Sequence, residues 1–306
     1  MSGISLALAM LIANPVILGA TPGPITRPEA PPDTADTLQA ERDLYARMTI
    51  DVAVQGIGPY RFLIDTGSQR TVVSTALAGT LGLSLGPQVR VVSIAGVHDV
   101  ATARIDSIDI GPRSFYDLTV PLLERQNMGA DGILGTDSLQ HQRVLLDFAH
   151  NTIRIGDPKE LGGKRDFEII VQARQRSGRL ILTDAMIDGV QTDVVIDTGA
   201  SGTIGNRALQ RALARKSRSQ DRMTGTVASV TGQELPVDLA VAGKLELAHI
   251  NVANVLIAYA DAPAFHELKL DKRPAIFLGM RELRAFKRIA IDFSTRKVLF
   301  DLAEAQ

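Results

Sequence analysis

The 306-residue chain is long enough for two compact lobes, and its 45% apolar and 22% charged residues are typical of a globular protein rather than a disordered one. Its net charge is −1, so it lacks the excess of basic residues expected of proteins that bind nucleic acids or anionic membranes. With 4% aromatic residues and no tryptophan, it also has few side chains on which nucleic-acid bases could stack. Because there is no cysteine, disulfides, zinc–thiolate sites and cysteine nucleophiles are excluded.

The first segment, Met1–Ala20, is apolar but too short and too interrupted to predict a membrane span. It resembles a signal peptide cleaved after Ala20, although it contains no Lys or Arg and Leu18 is large for its position. We therefore expect an exported protein, periplasmic or secreted, with no membrane span in the mature chain. An uncleaved anchor or a misplaced start codon is the alternative. The proline-rich start of residues 21–45 predicts an extended linker or a short propeptide.

Two β-hairpins of similar pattern follow, and each of them ends at an aspartate. Alternating β-branched residues around a glycine-containing turn are typical of such hairpins. Their predicted strands and turns are Met48–Val54, Gly56–Pro59 and Tyr60–Ile64 in the first half, and Leu180–Ile187, Asp188–Gly189 and Thr192–Ile196 in the second. The first hairpin delivers Asp65 and the second delivers Asp197.

Each aspartate opens a short polar motif after three apolar residues. The two motifs, 197 − 65 = 132 residues apart, are Asp65-Thr66-Gly67-Ser68 and Asp197-Thr198-Gly199-Ala200. One Asp-Thr-Gly triplet occurs by chance in about 6% of chains of this length, so a single copy would be weak evidence. Two copies in the same context need a structural reason.

The repeat continues beyond the triplets. Short helices are predicted at Thr75–Leu81 and Arg207–Lys216, and later each half has an apolar segment ending in glycine, a further short helix and two closing strands. The glycine segments are Ile133-Leu134-Gly135 and Phe277-Leu278-Gly279. The pattern predicts two homologous, all-β lobes with one or two short helices each, at residues 46–157 and 158–306.

Between triplet and glycine segment, each lobe has another predicted hairpin that could act as a mobile flap. The flap candidates are Ala95, Gly96, Val97 and His98 in the first lobe, and Thr231 and Gly232 in the second. We expect His98 to lie at the flap tip, where it could touch a substrate. None of the histidines forms a close ligand pair, so no metal site is predicted.

Two carboxylates brought face to face cannot both ionise at low cost, so one keeps a proton and the pair titrates as a unit. Such a pair can hold a water molecule, with the ionised member accepting its proton while the protonated member donates to a carbonyl oxygen. This chemistry hydrolyses a peptide bond without a covalent intermediate and without a metal or other cofactor. Glycine at positions 67 and 199 would let the two loops approach closely.

The residues from about 46 to 303 resemble, in both halves, the aspartic peptidase lobe of the retropepsin and pepsin families, in the single-chain, exported form of bacterial type. The resemblance implies a bilobal pair of closed β-barrels, closer to two fused retropepsin subunits than to pepsin. It implies catalytic Asp65 and Asp197, and Thr66 and Thr198 hydroxyls that bond across to the opposite loop. The glycine segments would thread beside the aspartate loops, and one chain would suffice for catalysis of a peptide or protein substrate.

Ser68 and Ala200 break the symmetry of the two loops. A Ser68 hydroxyl bonded to the outer oxygen of Asp65 would favour its ionised form, so we expect Asp65 to ionise more readily than Asp197. A different functional class also fits the motifs, namely a peptide-binding module of the same fold that is catalytically weak or silent. Retention of both triplets favours the endopeptidase, because a binding module has no need of two adjacent like charges.

Overall fold

The computed structural model describes residues 37–42, 47–161, 167–216 and 223–302. The predicted signal peptide, residues 1–20, and the proline-rich stretch up to residue 36 lie outside the described residues. The described part of the predicted linker forms two short strands, β1 (Thr37–Gln39) and β2 (Glu41–Arg42), which join two of the sheets. Within the described residues, no helix is long and apolar enough to cross a membrane.

The first lobe is a closed β-barrel. Its elements are β3 (Met48–Val54), β4 (Ile57–Ile64), β5 (Val72–Ser74), α1 (Thr75–Thr80), β6 (Leu85–Val92), β7 (Val97–Ile110), β8 (Arg113–Leu123), α2 (Arg125–Met128), β9 (Gly132–Leu134), α3 (Thr136–Leu139), β10 (Arg143–Asp147) and β11 (Thr152–Gly156). Strand pairing runs from β3 through β4, β9, β5, β8 and β7 back to β3. Strand β6 pairs with β7 outside this circuit and forms the predicted flap hairpin.

The second lobe repeats this circuit. Its elements are β12 (Ile169–Gln172), β13 (Arg174–Arg176), β14 (Arg179–Ile187), β15 (Val190–Ile196), β16 (Thr203–Asn206), α4 (Arg207–Lys216), β17 (Met223–Ala228), β18 (Glu234–Leu247), β19 (Ile250–Ala260), α5 (Pro263–Glu267), β20 (Ala275–Leu278), α6 (Met280–Leu283), β21 (Phe286–Asp292) and β22 (Lys297–Leu302). Strand pairing runs from β14 through β15, β20, β16, β19 and β18 back to β14, and β17 extends from β18 as the second flap. The predicted bilobal all-β fold is confirmed, but each lobe has three short helices rather than one or two, because a further helix, α2 or α5, precedes the glycine-segment strand.

The barrel interiors are filled by alternate residues of the strands. In β3, Ile50, Val52 and Val54 are buried while Asp51 is exposed, because successive side chains of a strand point to opposite faces. Each such aliphatic side chain contributes about 1.5–3 kcal/mol on burial. The core is continuous through both lobes and includes Ile64 and Ile196, the residues immediately before the two aspartates.

A third sheet joins the lobes, and its strand order is β1-β11-β10-β21-β22-β12. Strand β10 of the first lobe pairs antiparallel with β21 of the second. At one end of this pair, Arg143 Nη2 lies 2.8 Å from Oδ2 of Asp292, and their side chains are 5% and 0% exposed. Removing one partner would leave a buried charge uncompensated, so the pair holds the two strands in one register. The sheet therefore fixes how the lobes face each other.

Of the two hairpins before the aspartates, the second has its predicted turn, Asp188-Gly189, whereas the turn of the first lies at Gln55-Gly56 and not at Gly56–Pro59. Both have two-residue turns, Gln55-Gly56 and Asp188-Gly189, with positive φ at both residues, as two-residue hairpin loops prefer. From the turn glycine to the aspartate, the first hairpin is one residue longer than the second, since 65 − 56 = 9 and 197 − 189 = 8. The register shift places an extra residue in β4, after the turn, in the first hairpin and in β14, before the turn, in the second.

Candidate active site

The two aspartates lie at the ends of equivalent strands. Asp65 follows β4 and Asp197 follows β15, and each of these strands runs parallel to the glycine-segment strand of its own lobe. The backbone N–H of Asp65 donates to the carbonyl of Leu134, and that of Asp197 donates to the carbonyl of Leu278, both at 3.0 Å. The buried apolar residues of these strands thus hold both aspartate backbones in place.

The predicted glycine segments pass beside the aspartate loops. After Gly135, the N–H of Thr136 donates to the carbonyl of Ser68 at 2.9 Å; the residue after Gly279 donates to the carbonyl of Ala200 at 2.8 Å. A Cβ on Gly135 would lie within 3.0 Å of the backbone of the first loop, so glycine is required for this close passage. The structure therefore brings Ile133-Leu134-Gly135 and Phe277-Leu278-Gly279 to the aspartate loops.

The threonines of the two triplets bond across the lobe interface. Thr66 Oγ1 donates to the carbonyl of Ile196 at 2.8 Å, and Thr198 Oγ1 donates to the carbonyl of Ile64 at 2.7 Å. Each hydroxyl also accepts from the backbone N–H of the opposite threonine, at 3.3 and 3.0 Å. Both threonines are buried, so this reciprocal network is shielded from water and fixes one loop against the other.

The triplet glycines lie against the opposite carboxylates. A Cβ built on Gly67 would stand 2.5 Å from Cγ of Asp197, and one built on Gly199 would stand closer still to Cγ of Asp65. The two aspartates, 132 residues apart in sequence, therefore meet at one site. At positions 67 and 199 there is space for a hydrogen atom but not for a side chain, because the carboxyl group of the opposite aspartate lies too close.

Comparison with protein families assigns each lobe to a family of aspartyl proteases. Residues 50–141 match the family of gag-polyprotein aspartyl proteases, and residues 183–281 match a family of aspartyl proteases. Each match contains one aspartate, its triplet and its glycine segment. The chain is a two-lobed, retropepsin-like member of the aspartic peptidases. No curated protein in the comparison matches the sequence.

In this peptidase fold, one oxygen of each aspartate is held by its own loop. Oδ1 of Asp65 accepts from the backbone N–H groups of Gly67 and Ser68, both at 2.8 Å. Oδ1 of Asp197 accepts the two corresponding bonds in the second loop, both at 3.1 Å. These bonds orient the two carboxyl groups in the same way with respect to their loops.

The electrostatics separate the two aspartates. Burial raises the pKa of Asp65 above its usual value, and backbone hydrogen bonds and two nearby arginines oppose the rise. Burial and, next, the negative charge of Asp65 raise the pKa of Asp197 to about 8. The two carboxyl groups titrate as a pair, and Asp197 is the member that keeps its proton to the higher pH.

The asymmetry between the aspartates does not come from the Ser68 hydroxyl. Ser68 Oγ donates to the carbonyl of Arg70 at 2.8 Å, and only the backbone N–H of Ser68 contacts Asp65. The predicted bond from this hydroxyl to the outer oxygen of Asp65 is wrong, because the loop turns the side chain toward its own next carbonyl. Ala200 supplies Asp197 with the same backbone bond.

Replacing Ser68 with alanine is accordingly expected to leave the acidic limb of the pH profile in place. The variant keeps the backbone N–H that bonds to Asp65 and loses only a hydrogen bond to Arg70. The check is kcat/KM as a function of pH, which reports the titration of the free enzyme. An acidic limb displaced upward by half a pH unit or more would show that the hydroxyl does act on Asp65.

Two buried arginines that were not predicted from the sequence complete the site. Arg47 Nη1 donates to the carbonyl of Gly199 at 3.4 Å, and Arg179 Nε donates to the carbonyl of Gly67. Each arginine thus reaches the triplet of the opposite lobe. Both stand 18 residues before an aspartate, since 65 − 47 and 197 − 179 are equal. This shared position in the repeat, immediately before β3 for Arg47 and at the first residue of β14 for Arg179, could have identified both arginines from the sequence.

The first predicted flap is formed by β6 and β7. Its turn contains Ala95 and Gly96, and the N–H of Ser93 closes it by donating to the carbonyl of Gly96 at 2.8 Å. Val97 and His98 are the first residues of β7, beyond the turn in which the sequence analysis placed them. A Cβ on Gly96 would lie 2.8 Å from Nε2 of His98, so the ring packs beneath the turn.

The second flap tip, with Thr231 and Gly232, meets the first. Thr231 Oγ1 donates to Ser93 Oγ at 3.1 Å. Ile94 of the first tip packs on the apolar cluster of the second lobe, and Val230 packs on that of the first lobe. The two flap tips therefore cross over the cleft, and each closes on the opposite lobe.

Proposed function

We propose that the protein is an aspartic endopeptidase in which Asp65 and Asp197 activate a water molecule. The observation that carries the proposal is the meeting of the two carboxyl groups, each packed against the opposite glycine. Membership of the aspartic peptidases supports a peptide substrate.

The proposed reaction uses the different charges of the two aspartates. Ionised Asp65 takes a proton from the water as its oxygen attacks the scissile carbonyl carbon, while protonated Asp197 donates its proton to the carbonyl oxygen. The product is a neutral gem-diol. Asp65 then returns its proton to the amide nitrogen and Asp197 recovers one from a gem-diol hydroxyl, so that the C–N bond breaks and both groups regain their starting states.

The supporting contacts keep this geometry constant. The threonine network fixes the distance between the loops, and the N–H groups held by each Oδ1 fix the carboxyl planes. Crossed flap tips would exclude bulk water from a bound peptide, which strengthens the electrostatic interactions in the cleft. Because both aspartates belong to one chain, a monomer is sufficient in this proposal.

Hydrolysis of unfolded casein across pH is the experiment that tests this function. Only the singly protonated pair is active, so we expect cleavage at neutral pH that falls as the pH rises through about 8, where Asp197 loses its proton. At low pH the rate should fall as Asp65 becomes protonated. Cleavage that continues undiminished well above pH 9 would contradict the mechanism. Casein binding without cleavage at any pH would favour the binding module instead.

We also propose that the protein acts outside the cytoplasm, as a periplasmic or secreted peptidase. The support is the signal-peptide pattern of Met1–Ala20. Expression of the full chain followed by cell fractionation and N-terminal sequencing tests this: a mature chain that begins at Thr21 in the exported fraction is expected. An intact N-terminus in the cytoplasmic fraction would contradict it.

A further inference from the structure

Arg179 occupies an unusual position for a charged residue. It is the first residue of β14, its side chain is 8% exposed, and it reaches the carbonyl of Gly67, two residues after Asp65. The charges of both Asp65 and Asp197 act on its guanidinium group. Arg179 therefore stands beside the two carboxyl groups, on the second-lobe side of the site.

The equivalent residue of the first lobe is more fully bonded. Arg47 donates from Nη2 to the carbonyl of Met128, the last residue of α2, and from Nη1 to Gly199. In the second lobe, the carbonyl of Leu268, the residue after α5, accepts from Nη1 of Arg176. Arg179 makes no such bond within its own lobe among the residues that the structure describes.

Nη1 of Arg179 is buried and has no hydrogen-bond partner among the residues that the structure describes. A buried guanidinium N–H without an acceptor is unfavourable, and this cost is removed when a ligand supplies the acceptor. Because this N–H group lies next to the two aspartates, its missing acceptor indicates a hydrogen-bond acceptor that the substrate brings when it binds.

The local charges favour an anionic group. Arg47 and Arg179 carry two positive charges, and in the proposed mechanism the aspartate pair carries one negative charge. Glu267 also acts on Arg179, but its side chain is exposed to solvent, which screens its charge. A carboxylate on the substrate would neutralise the remaining positive charge. A guanidinium group also binds a carboxylate through charge-assisted hydrogen bonds.

We propose that Arg179 binds a carboxylate of the substrate, so that the peptidase prefers peptides with Asp or Glu close to the scissile bond. This specificity rests on the proposed endopeptidase function. Arg179 thereby acts as a specificity residue on one side of the cleft, whereas Arg47, whose guanidinium bonds to both lobes, acts as a positioning residue.

The test compares matched peptides that differ only in Glu or Gln at one of the positions flanking the cleavage site. For the wild-type protein we expect kcat/KM about tenfold or more higher for Glu than for Gln at one position. Arg179→Gln should reduce this ratio to about one, and Arg179→Lys should keep part of it. Arg211→Gln, on the exposed face of α4, is the matched control and should keep the full ratio.

A purely structural role for Arg179 predicts a different result. Arg179→Gln would then lower kcat/KM equally for the Glu and Gln peptides, and an unchanged ratio in that variant would overturn the proposal. The ratio in the wild-type protein should also fall as the pH drops below about 4, where the Glu side chain of the peptide becomes protonated.

Binding separates this proposal from the endopeptidase function. The same peptides, labelled with fluorescein, are titrated with Asp65→Asn protein, with and without Arg179→Gln, and the affinities are measured by fluorescence anisotropy. Tighter binding of the Glu peptide that depends on Arg179 would support the carboxylate site even if nothing is hydrolysed. Equal affinities for the Glu and Gln peptides would overturn it even in an active peptidase.

Discussion

Replacing Asp65 with asparagine is expected to reduce peptide hydrolysis by about a thousandfold or more. An amide can neither accept a proton from the attacking water nor carry the negative charge that keeps Asp197 protonated. Asp197→Asn should have an effect of the same size, because its amide cannot supply the proton to the scissile carbonyl. The measurement is kcat/KM on a casein-derived peptide, beside Asp184→Asn, whose carboxylate lies exposed on β14.

The stability of the Asp197→Asn variant shows whether a loss of activity has a chemical cause. The pKa of Asp197 is raised in the folded state, to about 8, so its contribution to stability is fully present below the unfolded value of about 3.9 and is lost as the pH rises through the folded value. Asparagine does not titrate. The variant should therefore gain stability relative to wild type as the pH rises from about 4 to 8, and chemical denaturation at both pH values tests this. Activity that survives Asp65→Asn in a folded protein would refute the aspartate pair.

Alanine in place of Gly199 is expected to lower kcat/KM by about a hundredfold or more. The new Cβ would lie within 3.0 Å of the carboxyl group of Asp65, and that group cannot turn away without losing the two backbone bonds to its Oδ1. Displacement of a reacting group by about 1 Å is enough for a loss of this size. Overpacking should also lower the free energy of unfolding by about 1–3 kcal/mol.

Gly202 provides the matched control for this substitution. It lies three residues further along the same loop, and a Cβ there would have no neighbour within 4 Å. Gly202→Ala should therefore keep nearly full activity and stability, measured by the same peptide assay and by thermal unfolding. If Gly199→Ala were as active as Gly202→Ala, the close approach of this glycine to Asp65 would not exist in solution.

The sequence alone determined the repeated parts of this protein. Alternating apolar residues and the glycine turns predicted the hairpins that deliver Asp65 and Asp197, and the second copy of each motif predicted two lobes. These features depend on residues close together in the chain, where strand periodicity and the conformational freedom of glycine act directly. The roles of Gly67 and Gly199 could also be predicted from the sequence, because a residue without a side chain next to a catalytic-type aspartate indicates close approach of the chain.

Other features depended on which distant residues the folded lobes bring together. The sheet between the lobes pairs Leu145 with Ala290, and Arg179 reaches Gly67 across the interface. The Ser68 hydroxyl turned to Arg70, although its place beside Asp65 predicted otherwise. Contacts of this kind depend on closure of the barrels and packing of the two lobes, which bring together residues far apart in the chain. The direction of a side chain then depends on which hydrogen-bond acceptors lie close to it in the folded structure. For that reason the aspartates could be predicted from the sequence, while the arginines beside them emerged only from the tertiary structure.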